Sequence, residues 1–289
     1  MSMDIEEIAI RVSGLQVAGR ACGPRDGYPV LCMHGWLDNA ASLEPLLALL
    51  PASFRFVALD LPGHGRSEHK SEDASYHFVD WVASVVDAAD ALGFGRFSIL
   101  AHSMGAAIAT MVAPVIAERV ERMVLIDGLG PWTLPGECAP EQLRRALSAR
   151  AVLGSKSARR FENIEQAVAV LNQSYADLSP QNVRRIVERG SRQLADGGLS
   201  FSYDLRLRGA SMMRLSEEQV RAFLAEIGCP VLMVRPLQGW PLDAETFAAR
   251  FEAIKGARLL EVEGGHHVHL EAPERMAEAI GAFLLEGQP

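Results

Sequence analysis

Short apolar runs punctuate the first part of the chain at regular intervals. Residues 29–33, 54–59, 97–100 and 123–126 are each too short for a helix and dense enough for a buried strand. Between them lie stretches with helical spacing. Residues 43–50 carry the apolar density of a short helix, and in residues 76–92 Phe78, Val82, Val85, Ala89 and Leu92 fall on one stripe. From Met104 the chain runs through Ala, Ile, Thr and Met to Pro114, which predicts a buried helix. Two alternating segments, 8–12 and 15–21, flank Ser13-Gly14 and predict a hairpin at the start.

From Pro131 the rhythm changes. Helical segments are expected at 141–153, 164–175 and 181–195, with no clear strand. Strand spacing returns at 229–234, followed by a helix at 244–254, a strand at 259–262 and a final helix that Pro273 opens. The pattern divides the chain into a core at 1–130, a helical insertion at 131–227 and the rest of the core at 228–289. Strands alternating with helices predict a largely parallel sheet joined by helical crossovers, an α/β fold. In such sheets reactive groups collect beyond the carboxyl ends of the strands. His34, Asp60, Ser103 and Asp127 all fall there.

The junction at residues 101–105 is Ala-His-Ser-Met-Gly. It differs by one residue from the Gly-x-Ser-x-Gly turn, in which a serine sits where a strand reverses sharply into a helix. Gly105 satisfies the second small position, and Ala101 adds one methyl at the first. A plainer reading makes Ser103 the cap of the following helix. Gly209-Ala210-Ser211 is a half-match of the same turn with no strand-like run before it, so context favours Ser103.

Composition narrows the function classes. The 289 residues are 49% hydrophobic and 22% charged, ordinary for a globular protein, and the net charge of −8 argues against a nucleic-acid surface. The basic stretch between Arg144 and Arg160 reads as a solvated helical face. Four scattered cysteines indicate neither a disulfide framework nor a zinc site, and Cys32 and Cys229 sit where small core residues belong. The acidic N-terminus does not resemble a signal peptide, and no apolar run of about eighteen residues exists to span a bilayer. A cytoplasmic protein is expected.

Four motifs together resemble the α/β-hydrolase superfamily: His34-Gly35-Trp36, Asp60-x-x-Gly63-x-Gly65-x-Ser67, the Ser103 turn, and Gly265-His266-x-x-x-x-Glu271-x-Pro273. Within it, residues 34–39 (His-Gly-Trp-Leu-Asp-Asn), residues 202–208 and the loop with His266, His267 and His269 look most like the serine hydrolase-like proteins. The resemblance implies an eight-stranded, mostly parallel sheet flanked by helices, with a helical cap inserted after the sixth strand. It implies Ser103 as nucleophile and His266 as base, leaving His267 and His269 to packing or the pocket wall. A common position for the acid falls on Gly239, so Asp127 is the expected acid and Asp243 the alternative. The backbone N–H groups of Trp36 and Met104 would form the oxyanion hole. His34, His102, Trp132, Met212 and Trp240 are candidates for the pocket, with Trp36 and Met213 adding apolar surface. The implied activity is hydrolysis of a small, apolar ester, thioester or related acyl substrate through an acyl-enzyme. The alternatives are C–C bond hydrolysis by the same residues and a non-catalytic scaffold of the same fold. No cofactor, metal, nucleic acid or membrane partner is implied, and a homodimer is left open.

Overall fold

The computed structural model describes residues 4–154, 156–175 and 177–287. Residues 1–3 of the acidic N-terminus lie outside that range. Eight strands form one sheet: β1 (Ile5–Val12), β2 (Leu15–Cys22), β3 (Tyr28–Met33), β4 (Phe54–Leu59), β5 (Phe97–His102), β6 (Val120–Ile126), and two late strands, Val231–Gln238 and Arg258–Gly265. Three short strands intervene in the 131–227 segment, β7 (Arg160–Phe161), β8 (Ser191–Gln193) and β9 (Leu199–Phe201), so the two late strands are β10 and β11. The large sheet runs β1-β2-β4-β3-β5-β6-β10-β11. β1 and β2 form the expected antiparallel hairpin, β2 meets β4 antiparallel, and every pairing beyond β4 is parallel. β5 therefore lies in the interior of the sheet, buried at all six residues.

The helices are α1 (Glu44–Leu47), α2 (Phe78–Ala91), α3 (Met104–Val115), α4 (Ala139–Gly154), α5 (Ile164–Asn172), α6 (Pro180–Arg189), α7 (Glu217–Ala225), α8 (Ala244–Ala253), α9 (Val268–Glu271) and α10 (Glu274–Leu285). Alternate residues of β5 point to opposite faces. Phe97, Ile99 and Ala101 join a core with Val85 and Ala89 of α2 and Ile108 and Val112 of α3, whereas Leu100 packs with Leu46 of α1 and Ile280 of α10. Burying a side chain of this size contributes about 1.5–3 kcal/mol. The carboxyl end of β5 is thus held from both sides.

The 131–227 segment departs from the expected all-helical pattern. The predicted helix over 181–195 stops at Arg189, and β8 pairs with β9, which pairs in turn with β7. Gly190 marks the break: a Cβ there would lie 2.9 Å from the Ile186 carbonyl oxygen and 3.0 Å from Asn39 Nδ2. Strands of two or three residues are too short to show a period in the sequence. The predicted helix at 43–50 is shorter too: a 3-10 turn over Ala40–Leu43, capped by the Asn39 side chain, precedes α1.

A buried ion cluster fastens this segment to the sheet. Arg189, 1% exposed, donates from Nε to Asp60 Oδ1 at 3.0 Å, and its Nη1 donates to Glu7 at 2.8 Å. The Asp60 carboxylate also accepts the Ala40 and Arg66 amides, each at 2.8 Å. Its motif is structural, and Gly65 is required because a Cβ would fall 2.3 Å from the Asp60 carboxyl carbon. Among the described residues, no helix is long and apolar enough to cross a membrane.

Candidate active site

Ser103 stands between β5 and α3 with φ 52° and ψ −115°, a conformation costly for a residue with a Cβ. Its hydroxyl makes no capping bond to α3, which removes the plainer reading of Ser103 as a helix cap. Its amide donates to the Ile126 carbonyl at 2.9 Å, pinning the turn to β6. Crowding explains the small residues. A Cβ on Gly105 would sit 2.6 Å from the Met33 carbonyl oxygen, and one on Gly128 would sit 2.5 Å from that of Ser103. Ala101 is fully buried and its methyl is accommodated.

Among the described residues, three of the four non-glycine residues with positive φ, Leu37, Ser103 and Asp127, belong to loops at the carboxyl ends of β3, β5 and β6. Strain of this kind persists only where surrounding structure over-determines it. All three residues line one cavity of about 1720 Å³ together with His266.

Asp127 follows β6, and its Oδ2 lies 2.6 Å from His266 Nδ1, on the loop after β11. The same oxygen accepts the Trp240 amide at 2.8 Å. A neutral His266 that donates from Nδ1 to the carboxylate carries its lone pair on Nε2. The loop is held further by the His266 carbonyl, which lies 2.8 Å from His102 Nε2. Gly239 shows why no acid stands at that position after β10. A Cβ there would come within 2.6 and 2.7 Å of the two Asp127 oxygens, so the backbone of that position is the floor on which the carboxylate rests.

Asp243 does not partner His266. Its side chain accepts the Thr246 amide at 2.9 Å as the cap of α8, a local bond that accounts for its presence. His34 also departs from expectation, since it is fully buried and not among the residues lining the cavity. Its Nε2 accepts the Leu61 amide at 3.0 Å, which puts the proton on Nδ1, 2.7 Å from the Gly35 carbonyl. Burial pushes its pKa down to about 4. His34 ties the β3 and β4 loops together.

The remaining candidates border the cavity. Trp132 and Trp240 meet edge to face at 5.9 Å, Trp240 lies 5.2 Å from the His266 ring, and Met212 and Met213 line the same space. The Trp36 indole donates to the Leu207 carbonyl at 3.1 Å, anchoring the loop after β3. Among the described residues the Trp36 amide has no acceptor, and the Met104 amide opens α3, where first-turn N–H groups lack helical partners.

Two acids escaped the sequence reading. Asp177, from the 131–227 segment, accepts the His267 amide at 3.1 Å and lies 3.2 Å from its Nδ1; the imidazole contact lowers the Asp177 pKa to about 2. Asp38 is 2% exposed, and burial raises its pKa to about 6 against the opposing pull of His267 and His266. His102 and His269 are fully buried, and desolvation followed by their neighbouring imidazoles drives both well below the ordinary histidine range. Only the crowding of histidines at 266–269 could have hinted at these groups.

A family model described as the alpha/beta hydrolase family matches residues 30–279. The chain belongs to that family. Among its relatives, this α/β-hydrolase is 33% identical over 285 residues to a serine hydrolase-like protein of Danio rerio, covering 95% of this chain and 86% of the other. A crystal structure of a hypothetical protein from Pseudomonas aeruginosa PAO1 superposes with a TM-score of 0.88 at 36% identity, covering 96% of this chain and 97% of that one. A thioesterase domain from the curacin biosynthetic pathway gives 0.83 at 25% identity, covering 96% and 99%. The fold of the α/β-hydrolases, an eight-stranded and mostly parallel sheet flanked by helices, is the one described above.

Proposed function

We propose that this α/β-hydrolase is a serine hydrolase that cleaves a small, apolar ester or thioester through an acyl-enzyme on Ser103. The observation that carries the reading is the 2.6 Å contact of His266 Nδ1 with Asp127, in a cavity that Ser103 also lines. A serine hydroxyl needs a base for its proton, and the base needs a fixed tautomer and a carboxylate to stabilise its charged form. In this reading His266 Nε2 takes the proton as Ser103 Oγ attacks the acyl carbon. The Trp36 and Met104 amides receive the developing oxyanion; one such donor contributes on the order of 3 kcal/mol to the transition state. His266 then protonates the departing alcohol or thiol, and a water activated by the same imidazole releases the acid.

Trp132, Trp240, Met212 and Met213 give the cavity the apolar wall that an acyl chain requires. The 131–227 segment acts as the cap over it, and the thioesterase domain to which the chain is similar performs chemistry of the same class. A fluorophosphonate probe tests the reading. Labelling of Ser103 that disappears in His266→Ala supports it; an unlabelled, folded wild type means a scaffold. A panel of esters, thioesters and vinylogous 1,5-diketones then separates acyl hydrolysis from C–C cleavage.

A further inference from the structure

Beneath the candidate nucleophile lies a cluster that the hydrolase reading does not use. Asp38 from the loop after β3, His102 at the end of β5 and His269 in α9 bring one donor atom each to within 4.8 Å of one another, all three residues being buried. Among the described residues, four of their polar atoms lack any hydrogen-bond partner: Asp38 Oδ2, His102 Nδ1 and both nitrogens of His269. Buried polar atoms in a folded protein almost always have partners, so four orphans converging from three elements mark a place built for a further group.

We propose that Asp38, His102 and His269 form a binding site for a divalent transition-metal ion of the zinc type. The donor set decides the class. Two imidazoles and one carboxylate suit zinc and its first-row neighbours, whereas magnesium and calcium call for oxygen ligands throughout. The tautomer of His102 suits the role. Its Nε2 donates to the His266 carbonyl at 2.8 Å, which leaves a lone pair on the unpartnered Nδ1. Asp38 is oriented in the same way, with Oδ1 accepting the Asn39 amide at 2.9 Å and Oδ2 free. Donors on a tetrahedral ion with bonds of about 2.0–2.1 Å stand roughly 3.4 Å apart. Metal binding therefore draws the three donors inward by about 1 Å, and the His102 and His269 rings, now 3.9 Å apart and tilted by 36°, splay to admit the ion. Asp38 and His102 both border the main cavity, which supplies the entry path.

Occupancy has a consequence that rests on the hydrolase reading. His102 precedes Ser103 in the chain and holds the His266 carbonyl, so an ion that pulls on His102 shifts nucleophile and base together. The metal is an inhibitor of turnover.

The test uses the full chain stripped with a chelator and titrated with Co²⁺, whose visible absorption reports an ordered low-coordinate site. One saturating equivalent is expected, with affinity at least tenfold weaker in His269→Ala and in Asp38→Asn, both checked for folding by circular dichroism. An X-ray absorption spectrum of the Zn²⁺-loaded wild type, which needs no variant, should show imidazole scattering. Absence of a saturable signal, undiminished binding in both folded variants (adventitious surface histidines only), or a zinc spectrum without imidazole overturns the proposal. Zn²⁺ should also slow fluorophosphonate labelling of the wild type and not of His269→Ala. If the metal-free protein is never labelled, the hydrolase reading fails while the Co²⁺ result stands by itself.

Discussion

Replacing Gly239 by alanine should disable the site without touching any group that reacts. The added Cβ would lie 2.6 and 2.7 Å from the Asp127 oxygens and 2.5 Å from Pro236 Cγ. Ordinary carbon–oxygen contact begins near 3.4 Å, so the carboxylate must retreat by about 0.7 Å, a distance comparable with the misplacement that costs roughly 100-fold in rate. Its bond to His266, 2.6 Å in the native arrangement, then stretches beyond normal hydrogen-bond length. We expect kcat on a chromogenic ester to fall about 10- to 100-fold with KM little changed, because the acyl wall is untouched. The stability cost should be near the 1.5–3 kcal/mol of one charge-assisted hydrogen bond. Gly95→Ala is the control, since a Cβ there meets nothing within 4 Å. Wild-type kcat in folded Gly239→Ala would refute the claim that this backbone position seats the acid.

The two candidate acids should separate cleanly in kinetics: Asp127→Asn is expected to lower kcat by about 10⁴-fold through the wrong His266 tautomer, whereas Asp243→Asn leaves kcat unchanged and still caps α8. Ser103→Gly should abolish labelling yet raise stability in urea by about 1 kcal/mol, because glycine occupies φ 52° without strain; an unchanged or lower midpoint counts against stored strain. Stability should fall as pH drops from 6.5 towards 4. Over that interval the unfolded chain protonates histidines that burial keeps neutral in the fold, His34 down to about 4 and His64 to about 3, while the raised Asp38, at about 6, opposes them as a single group. A flat or rising profile in denaturant melts at fixed pH values would contradict the sign. Arg189→Leu should cost about 3–5 kcal/mol by stranding Asp60 in the interior, read as a shift of the chemical-denaturation midpoint.

What could be seen in the sequence was whatever depends on neighbours along the chain. The Ser103 turn was legible because its steric demands fall within two residues on either side, and the sheet because each buried strand is an uninterrupted apolar run. Asp127 was singled out by its place after the sixth strand and by the resemblance, with Asp243 left as the alternative. Gly239 registered only as a missing aspartate, since the carboxylate that fills its space comes from 112 residues earlier in the chain. Asp38 and Asp177 gave no usable signal for the same reason, and His269 registered only as one of three crowded histidines: each owes its meaning to partners on other elements. The small sheet at β7, β8 and β9 was hidden by its brevity, and Gly190 by the absence of any rule that distinguishes a helix-ending glycine from a tolerated one.

The Arg189 cluster carries a lesson about long-range dependence. Glu7 belongs to the outermost strand, farthest along the sheet from β10 and β11, yet through one guanidinium it is tied to α6 of the 131–227 segment. An N-terminal fusion that peels that edge, or a protease that nicks it, would loosen α6 and leave every group around Ser103 chemically intact. With that segment in the proposed role of a cap, damage there would change which substrates are admitted before the folded state is lost.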